Sequence, residues 1–184
     1  MKKYILFAGV NGAGKSTLYK TFPKYKDMPR INTDDILRGL GDWRNPEDLL
    51  RAGKVAVQEL NRLLDSDSSF NQETTLCGKT ILKTIERAKS KGYFIEMYYV
   101  GIDSAELAKE RIAYRVSKGG HGIPERDVEK RYVETFNNLK QVLLMCDLVS
   151  LYDNTEVFRR IAIFKSGNPV RISNNTPEWF ERLK

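Results

Sequence analysis

Residues 9–16 read Gly-Val-Asn-Gly-Ala-Gly-Lys-Ser, directly after the apolar run Tyr4-Ile5-Leu6-Phe7-Ala8. This is the phosphate-binding pattern G-x-x-x-x-G-K-[ST] in its diagnostic setting, strand before and helix after. Gly9, Gly12 and Gly14 allow backbone conformations closed to other residues and bring N–H groups up to phosphate oxygens. The helix starting near Lys15 aims its positive dipole end at the same anion. Lys15 is placed to reach the β- and γ-phosphates, and the Ser16 hydroxyl to hold Mg²⁺. The chain is therefore expected to bind a nucleoside triphosphate. Lys2-Lys3 and the apolar stretch imitate a secretory signal, but the stretch is too short and no small-residue cleavage site follows.

At 184 residues the chain suits one domain with a full core, taken as 1–184. No apolar stretch approaches the length of a membrane span, so no membrane partner is expected. Cys77 and Cys146 form no C-x-x-C pair, which argues against a disulfide framework or zinc site and fits a reducing cytoplasm. The formal net charge of +7 suits a solvated surface or a polyanionic substrate. No aromatic-plus-basic single-strand motif, zinc finger or basic duplex-reading helix is visible, so nucleic acid is not the expected partner.

Residues 2–10 read as a buried parallel strand. Asn45-Pro46-Glu47 is a helix start, with a cap, a proline in the first turn and an acid near the dipole. Strands are predicted near 69–75, 93–100 and 148–151, with helices from about 79 to 90, 105 to 118 and from Pro124 onward. Asp103-Ser104-Ala105-Glu106 resembles a capping box, with Asp103 as the cap. The long helix carries Val128, Tyr132, Phe136, Leu139 and Leu143 at helical spacing, which reads as core. Segments 160–164 and 169–172 read as a terminal β-hairpin. The prediction is a three-layer α/β fold of the P-loop NTPase, kinase-like kind, with a mainly parallel sheet, a helical lid over about 108–126 and a C-terminal hairpin. Ligands of such sheets lie beyond the strand C-termini, where Asp34, Glu73, Gly101 and Asn154 all fall.

A phosphate loop alone does not name a reaction. The strand 94–100 ends in Gly101, where a transporter or motor ATPase carries an acid, and no Asn-Lys-x-Asp base-reading signature occurs. A small-molecule kinase remains, and it needs a carboxylate to orient the acceptor hydroxyl and take its proton. Asp34 is the chosen base and Asp35 its competitor; in the bland alternative the pair caps a short helix over 36–40. Glu73 is either an acceptor contact or a solvated loop acid. Arg111 and Arg115 are one helical turn apart, a spacing at which like charges repel. A polyphosphate across them reverses the sign, and with Lys118 and Gly119-Gly120 they read as lid arginines. The alternative is a solvated face balanced by Glu106 and Glu110. His121, the one histidine, lies among glycines, and Arg131 is a further cation.

Together, Gly-x-x-Gly-Ala-Gly-Lys-Ser-Thr, Ile-Asn-Thr-Asp-Asp-Ile, Glu-Thr-Thr-Leu-Cys-Gly and Arg-Val-Ser-Lys-Gly-Gly-His-Gly-Ile-Pro, closing on Tyr-Asp-Asn, resemble the zeta-toxin-like P-loop kinases, in particular their compact stand-alone branch often labelled predicted ABC-type ATPase. The resemblance runs from the first strand to about Asn154. It implies ATP and Mg²⁺ as cofactors and phosphorylation of a UDP-amino sugar such as UDP-N-acetylglucosamine, with an antitoxin protein as a partner. It also implies triphosphate and metal roles for Lys15 and Ser16, the base for Asp34, a sugar contact for Glu73 and lid roles for Arg111 and Arg115. The lid Gly-Gly-His-Gly-Ile-Pro departs from that of the large zeta toxins. The expected nucleotide contacts are Gly9, Asn11, Gly12, Ala13, Gly14, Lys15, Ser16, Thr17 and Asn154. The expected acceptor contacts are Asp34, Arg38, Glu73, Thr74, His121 and Arg131. Two rival readings are a nucleotide-binding regulatory module without turnover and a nucleotide kinase.

Overall fold

Strand β1 (Lys3–Ala8) is the spine of the molecule, and from Tyr4 to Ala8 none of its residues is exposed. Its side chains alternate between two cores, as strand pleating requires. Tyr4, Leu6 and Ala8 enter one apolar cluster, and Ile5 and Phe7 enter the other. Both faces are thus covered by helices, which explains the continuous apolar run. Each fully buried large side chain contributes about 1.5–3 kcal/mol. The computed structural model describes residues 1–183.

The chain runs β1, α1 (Lys15–Lys20), β2 (Arg30–Ile31), α2 (Thr33–Leu40), α3 (Pro46–Asp65), β3 (Phe70–Thr74), α4 (Thr80–Ser90) and β4 (Phe94–Gly101). It continues through α5 (Ala105–Ser117), α6 (Glu125–Met145), β5 (Leu148–Asp153), β6 (Arg159–Lys165), β7 (Asn168–Ile172) and α7 (Glu178–Glu181). The sheet order is β2-β3-β1-β4-β5-β6-β7. The first five strands are parallel, and β6 and β7 add the antiparallel hairpin predicted from sequence. The fold is the expected α/β architecture with a mainly parallel sheet.

The first cluster takes Leu60, Leu63 and Leu64 of α3, Ile81 and Ile85 of α4, and Trp179 and Phe180 of α7. The second takes Leu18 of α1 and Ala108 and Ile112 of α5. Helix α6 spans both, placing Leu139 and Val142 in the first and Val128 and Tyr132 in the second. Phe136 and Leu143, expected in its inner stripe, are only partly buried.

Two local readings change. The cap of α5 is Ser104, whose hydroxyl accepts from the Leu107 N–H, whereas Asp103 accepts from the Trp179 N–H. Helix α2 begins at Thr33, earlier than the expected 36–40, because the Asn32 side chain caps it by accepting from the Asp34 N–H. The end of β4 lacks an acid for a packing reason. A Cβ on Gly101 would collide with the Trp179 indole, whose Nε1 donates to Asp153 at 3.0 Å.

Candidate active site

The loop between β1 and α1 lies at the C-terminal edge of the parallel strands. Gly12 has φ +81°, and a Cβ there would sit 2.8 Å from the Ala108 carbonyl oxygen, so the loop packs directly on α5. A Cβ on Gly9, at φ +139°, would strike the Val100 carbonyl. The Asn154 amide donates to the Ala13 carbonyl at 2.8 Å and ties the end of β5 to the loop. Lys15 is buried and its Nζ donates to the Val10 carbonyl at 3.1 Å. Burial pulls its pKa down, and the nearby Glu73 and Asp34 carboxylates push it back up.

Arg111 and Arg115 project from α5 into the same space. The guanidinium of Arg111 donates one N–H to the Thr155 carbonyl at 3.0 Å. Its Nη1, and the Nε and Nη2 of Arg115, are buried without a hydrogen-bond partner. Leaving a buried donor unpaired costs about 1–3 kcal/mol, more for charged groups. Arg111 and Arg115 line a cavity of about 230 Å³ together with Asn11, Gly12, Gly14, Lys15, Ser16, Thr17, Asp34 and Glu73. A polyphosphate fits this donor set, since it would meet the unpaired donors and the loop amides together.

The metal role expected of Ser16 meets a carboxylate not expected beside it. Ser16 Oγ donates to Glu73, with its two carboxylate oxygens at 2.8 and 2.9 Å. Glu73 also accepts from Arg30 Nη2 at 2.6 Å and from the Asn32 amide at 3.4 Å. This follows from the sheet order: β3 lies beside β1 with Phe7 opposite Glu73. A hydroxyl and a carboxylate side by side are oxygen donors of the kind Mg²⁺ takes, alongside phosphate oxygens and water. Among the described residues no group of three or more His, Cys, Asp or Glu could hold a metal ion. Any Mg²⁺ here would therefore depend on the phosphates.

Asp34 and Asp35 stand in the first turn of α2, not on a strand, and Asn32 supplies the cap. The helix separates their directions. Asp35 pairs with Arg38 at 3.0 Å and its side chain is half exposed. Asp34 lines both the phosphate cavity and a second cavity of about 400 Å³. Glu73, Thr74, His121 and Arg131 line that second cavity, with Gln72, Thr75, Leu49 and Cys77, which the sequence reading did not assign. Arg131 reaches Asn11 Oδ1 at 3.2 Å. Arg38 lies apart from these, in an outer cavity of about 360 Å³ lined also by Trp43, Arg44 and His121.

His121 Nε2 lies 3.6 Å from Asp34 Oδ1, with 12% of the side chain exposed. Burial lowers its pKa, Asp34 opposes this, and Arg115, Arg38 and Arg131 reinforce it. Its ring packs on Trp43. A Cβ on Gly122 would stand 2.6 Å from the same indole, so the 118–124 segment needs glycine to approach it. Trp43 and Arg30 carry no motif that would have singled them out.

Residues 5–138 match the family model for an AAA domain, AAA_33. The chain belongs to this AAA-domain family. An uncharacterized protein of Haemophilus influenzae is 34% identical over 130 residues, covering 71% of this chain and 92% of that protein. Among solved structures, the AvrRxo1-ORF1:-ORF2 complex with ATP shares the fold with a TM-score of 0.75 at 15% identity. That likeness covers all of this chain but only 63% of the other, so this AAA domain spans less than two thirds of its length. The PezAT toxin–antitoxin system of Streptococcus pneumoniae gives a TM-score of 0.62 at 18% identity, over 86% of this chain and 71% of that one. These structures share with the chain the α/β fold with a mainly parallel sheet. None of the described helices is long and apolar enough to cross a membrane.

Proposed function

We propose that this protein is an ATP-dependent phosphotransferase acting on a hydroxyl of a small metabolite. The observation that carries the reading is the pairing of two cavities. Unpaired guanidinium donors and the phosphate loop line one, Asp34 stands between them, and polar side chains line the other. Mg-ATP, when bound, supplies the phosphoryl group and the metal charge that stabilises its transfer. Lys15, Arg111 and Arg115 hold the triphosphate and neutralise charge as it develops. Ser16, with Glu73 beside it, would hold the metal. Asp34 orients the acceptor hydroxyl and takes its proton at a carboxylate oxygen. Thr74 and Arg131 contact the acceptor, Asn154 braces the loop, and Arg38 meets only an acceptor long enough to reach the outer cavity.

Within the kinase class we assign the chain to the zeta-toxin-like branch, on the Glu-Thr-Thr-Leu-Cys-Gly and Gly-Gly-His-Gly-Ile-Pro segments, and take a UDP-amino sugar as acceptor. The reading treats 1–184 as one kinase domain with its lid over about 108–126. It sets the reaction in the cytoplasm, where two free cysteines stay reduced. An antitoxin protein is the partner this branch implies, and the PezAT likeness supports that second element. Incubation with Mg-ATP and UDP-N-acetylglucosamine, followed by ³¹P NMR, tests the reading. A new phosphomonoester resonance that grows with ADP is expected. ATP left intact with this sugar and with a panel of nucleoside monophosphates and other metabolites would leave a nucleotide-dependent binding module in its place.

A further inference from the structure

The reaction leaves a proton on Asp34, whose side chain is 35% exposed and lines the cavity that a bound acceptor would cover. On the phosphate side stand Lys15, Arg111 and Arg115, all cationic. Glu73 is already engaged by Ser16, Arg30 and Asn32. The remaining neighbour with a nitrogen lone pair to offer is His121, 3.6 Å away. His121 and Leu37 are the two residues that line both the acceptor cavity and the outer cavity. The imidazole therefore stands at the seam between the partly exposed Asp34 carboxylate and a space that opens on exposed Arg38 and Arg44.

We propose that His121 is the positioning residue for Asp34 and relays the acceptor proton from the Asp34 carboxyl to the outer cavity. This rests on the kinase reading above. The acceptor O–H bond breaks as its oxygen bonds to the γ-phosphorus of ATP and ADP departs. The proton passes to an Asp34 oxygen, then to His121 Nε2, and from the imidazolium to water in the outer cavity. Asp34 returns to its carboxylate form and His121 to its neutral form.

The surroundings favour that cycle. The charged groups facing the imidazole are Asp34 and Arg38 from α2, Arg115 from α5 and Arg131 from α6. Three cations against one carboxylate, together with burial, hold the resting ring neutral and able to accept. The same cations make the imidazolium short-lived. Trp43 packs on the ring, and Gly120 and Gly122 bring the segment against Arg115 and Trp43, where a Cβ would stand 2.5 and 2.6 Å from their side chains. The ring orientation is thus set from two sides. The contact shortens to a hydrogen bond once the acceptor fills the cavity, as apo sites commonly tighten on loading.

Because His121 is the only histidine, its NMR titration can be read without assignment. In the Asp34→Asn variant that titration should move to lower pH, because the one neighbour raising it has lost its charge. An unmoved titration overturns the pairing. The second arm uses initial rates with Mg-ATP and UDP-N-acetylglucosamine. His121→Gln should lower kcat about tenfold, the low end of general acid–base effects, with KM for ATP unchanged. The acidic fall in rate that tracks the His121 titration should vanish in this variant. An unchanged kcat and pH profile overturns the relay. Absence of turnover by the wild-type chain counts against the kinase reading, and the NMR arm then decides the pairing.

Discussion

The phosphate side and the acceptor side of the site are built in opposite ways. The cavity proposed for the phosphates is lined mainly by one short stretch within 11–17 and by two arginines a single turn apart on α5, with Asp34 and Glu73 at its border. The acceptor cavity draws on α2, the start of α3, the β3–α4 turn, the 118–124 segment and α6. Three guanidinium nitrogens of the first, one on Arg111 and two on Arg115, are left unpaired. The carboxylates at the second are already engaged, Glu73 with Ser16 and Arg30, and Asp34 beside His121. On the proposed reading, an anion that every P-loop protein shares would be met by backbone and fixed charge, whereas a particular acceptor would be met by side chains gathered from across the fold.

Asp34→Asn breaks this comparison most sharply. It removes the one group proposed as base and should lower acceptor-dependent turnover about a thousandfold, within the range for such groups, while ATP affinity by calorimetry stays within a few-fold. Equal losses of binding and turnover would move Asp34 to the phosphate side. Arg115→Met should lower kcat about a hundredfold, the scale of losing one charge-stabilising donor. The same change removes two unpaired buried donors. The nucleotide-free protein should therefore melt about 2–4 °C higher, for a gain near 1 kcal/mol in a chain of this size. A lower melting temperature would mean that the guanidinium is a structural prop.

Glu73→Gln sharpens the boundary between the two sides. If Glu73 serves the metal, the Mg²⁺ concentration for half-maximal rate should rise about tenfold, the scale of losing a partner of a metal ligand, with KM for the acceptor little changed. A selective rise in the acceptor KM would return it to the sugar-contact role that the sequence suggested. The smallest expected effect is on stability against pH. Because the fold lowers the pKa of His121, the unfolded chain binds its proton more readily. Its stabilising contribution is complete above the ordinary imidazole value and is lost as pH falls through the lowered folded one. Urea midpoints across that window should fall more steeply on acidification in the wild type than in His121→Gln, and parallel slopes would contradict the buried, neutral histidine.

The same contrast explains what could be read before any coordinates. The phosphate-loop motif, the continuous apolar run of β1 and the Arg111–Arg115 spacing are local patterns legible in the chain itself, and the mainly parallel sheet stands as expected. Helix caps were less legible, because Asn32 and Ser104 compete with acids one or two residues away and geometry decides between them. Cys77 and Gln72 reach the acceptor cavity, and Trp43 the outer one, only through tertiary packing, and no spacing announces them. Gly101 was read by the acid it lacks, whereas the reason for its glycine lies in Trp179, 78 positions further on. Glu73 was found at its strand end, but its contact with Ser16 depends on β3 pairing with β1.

The most direct test of the account is a crystal structure with Mg²⁺ and a non-hydrolysable ATP analogue. The account predicts the triphosphate in the 9–17 loop, the unpaired nitrogens of Arg111 and Arg115 on its γ-phosphate, and Asp34 facing that phosphate across the acceptor cavity. A triphosphate bound elsewhere, or an Asp34 turned away with no space for a hydroxyl between it and the γ-phosphate, would contradict it.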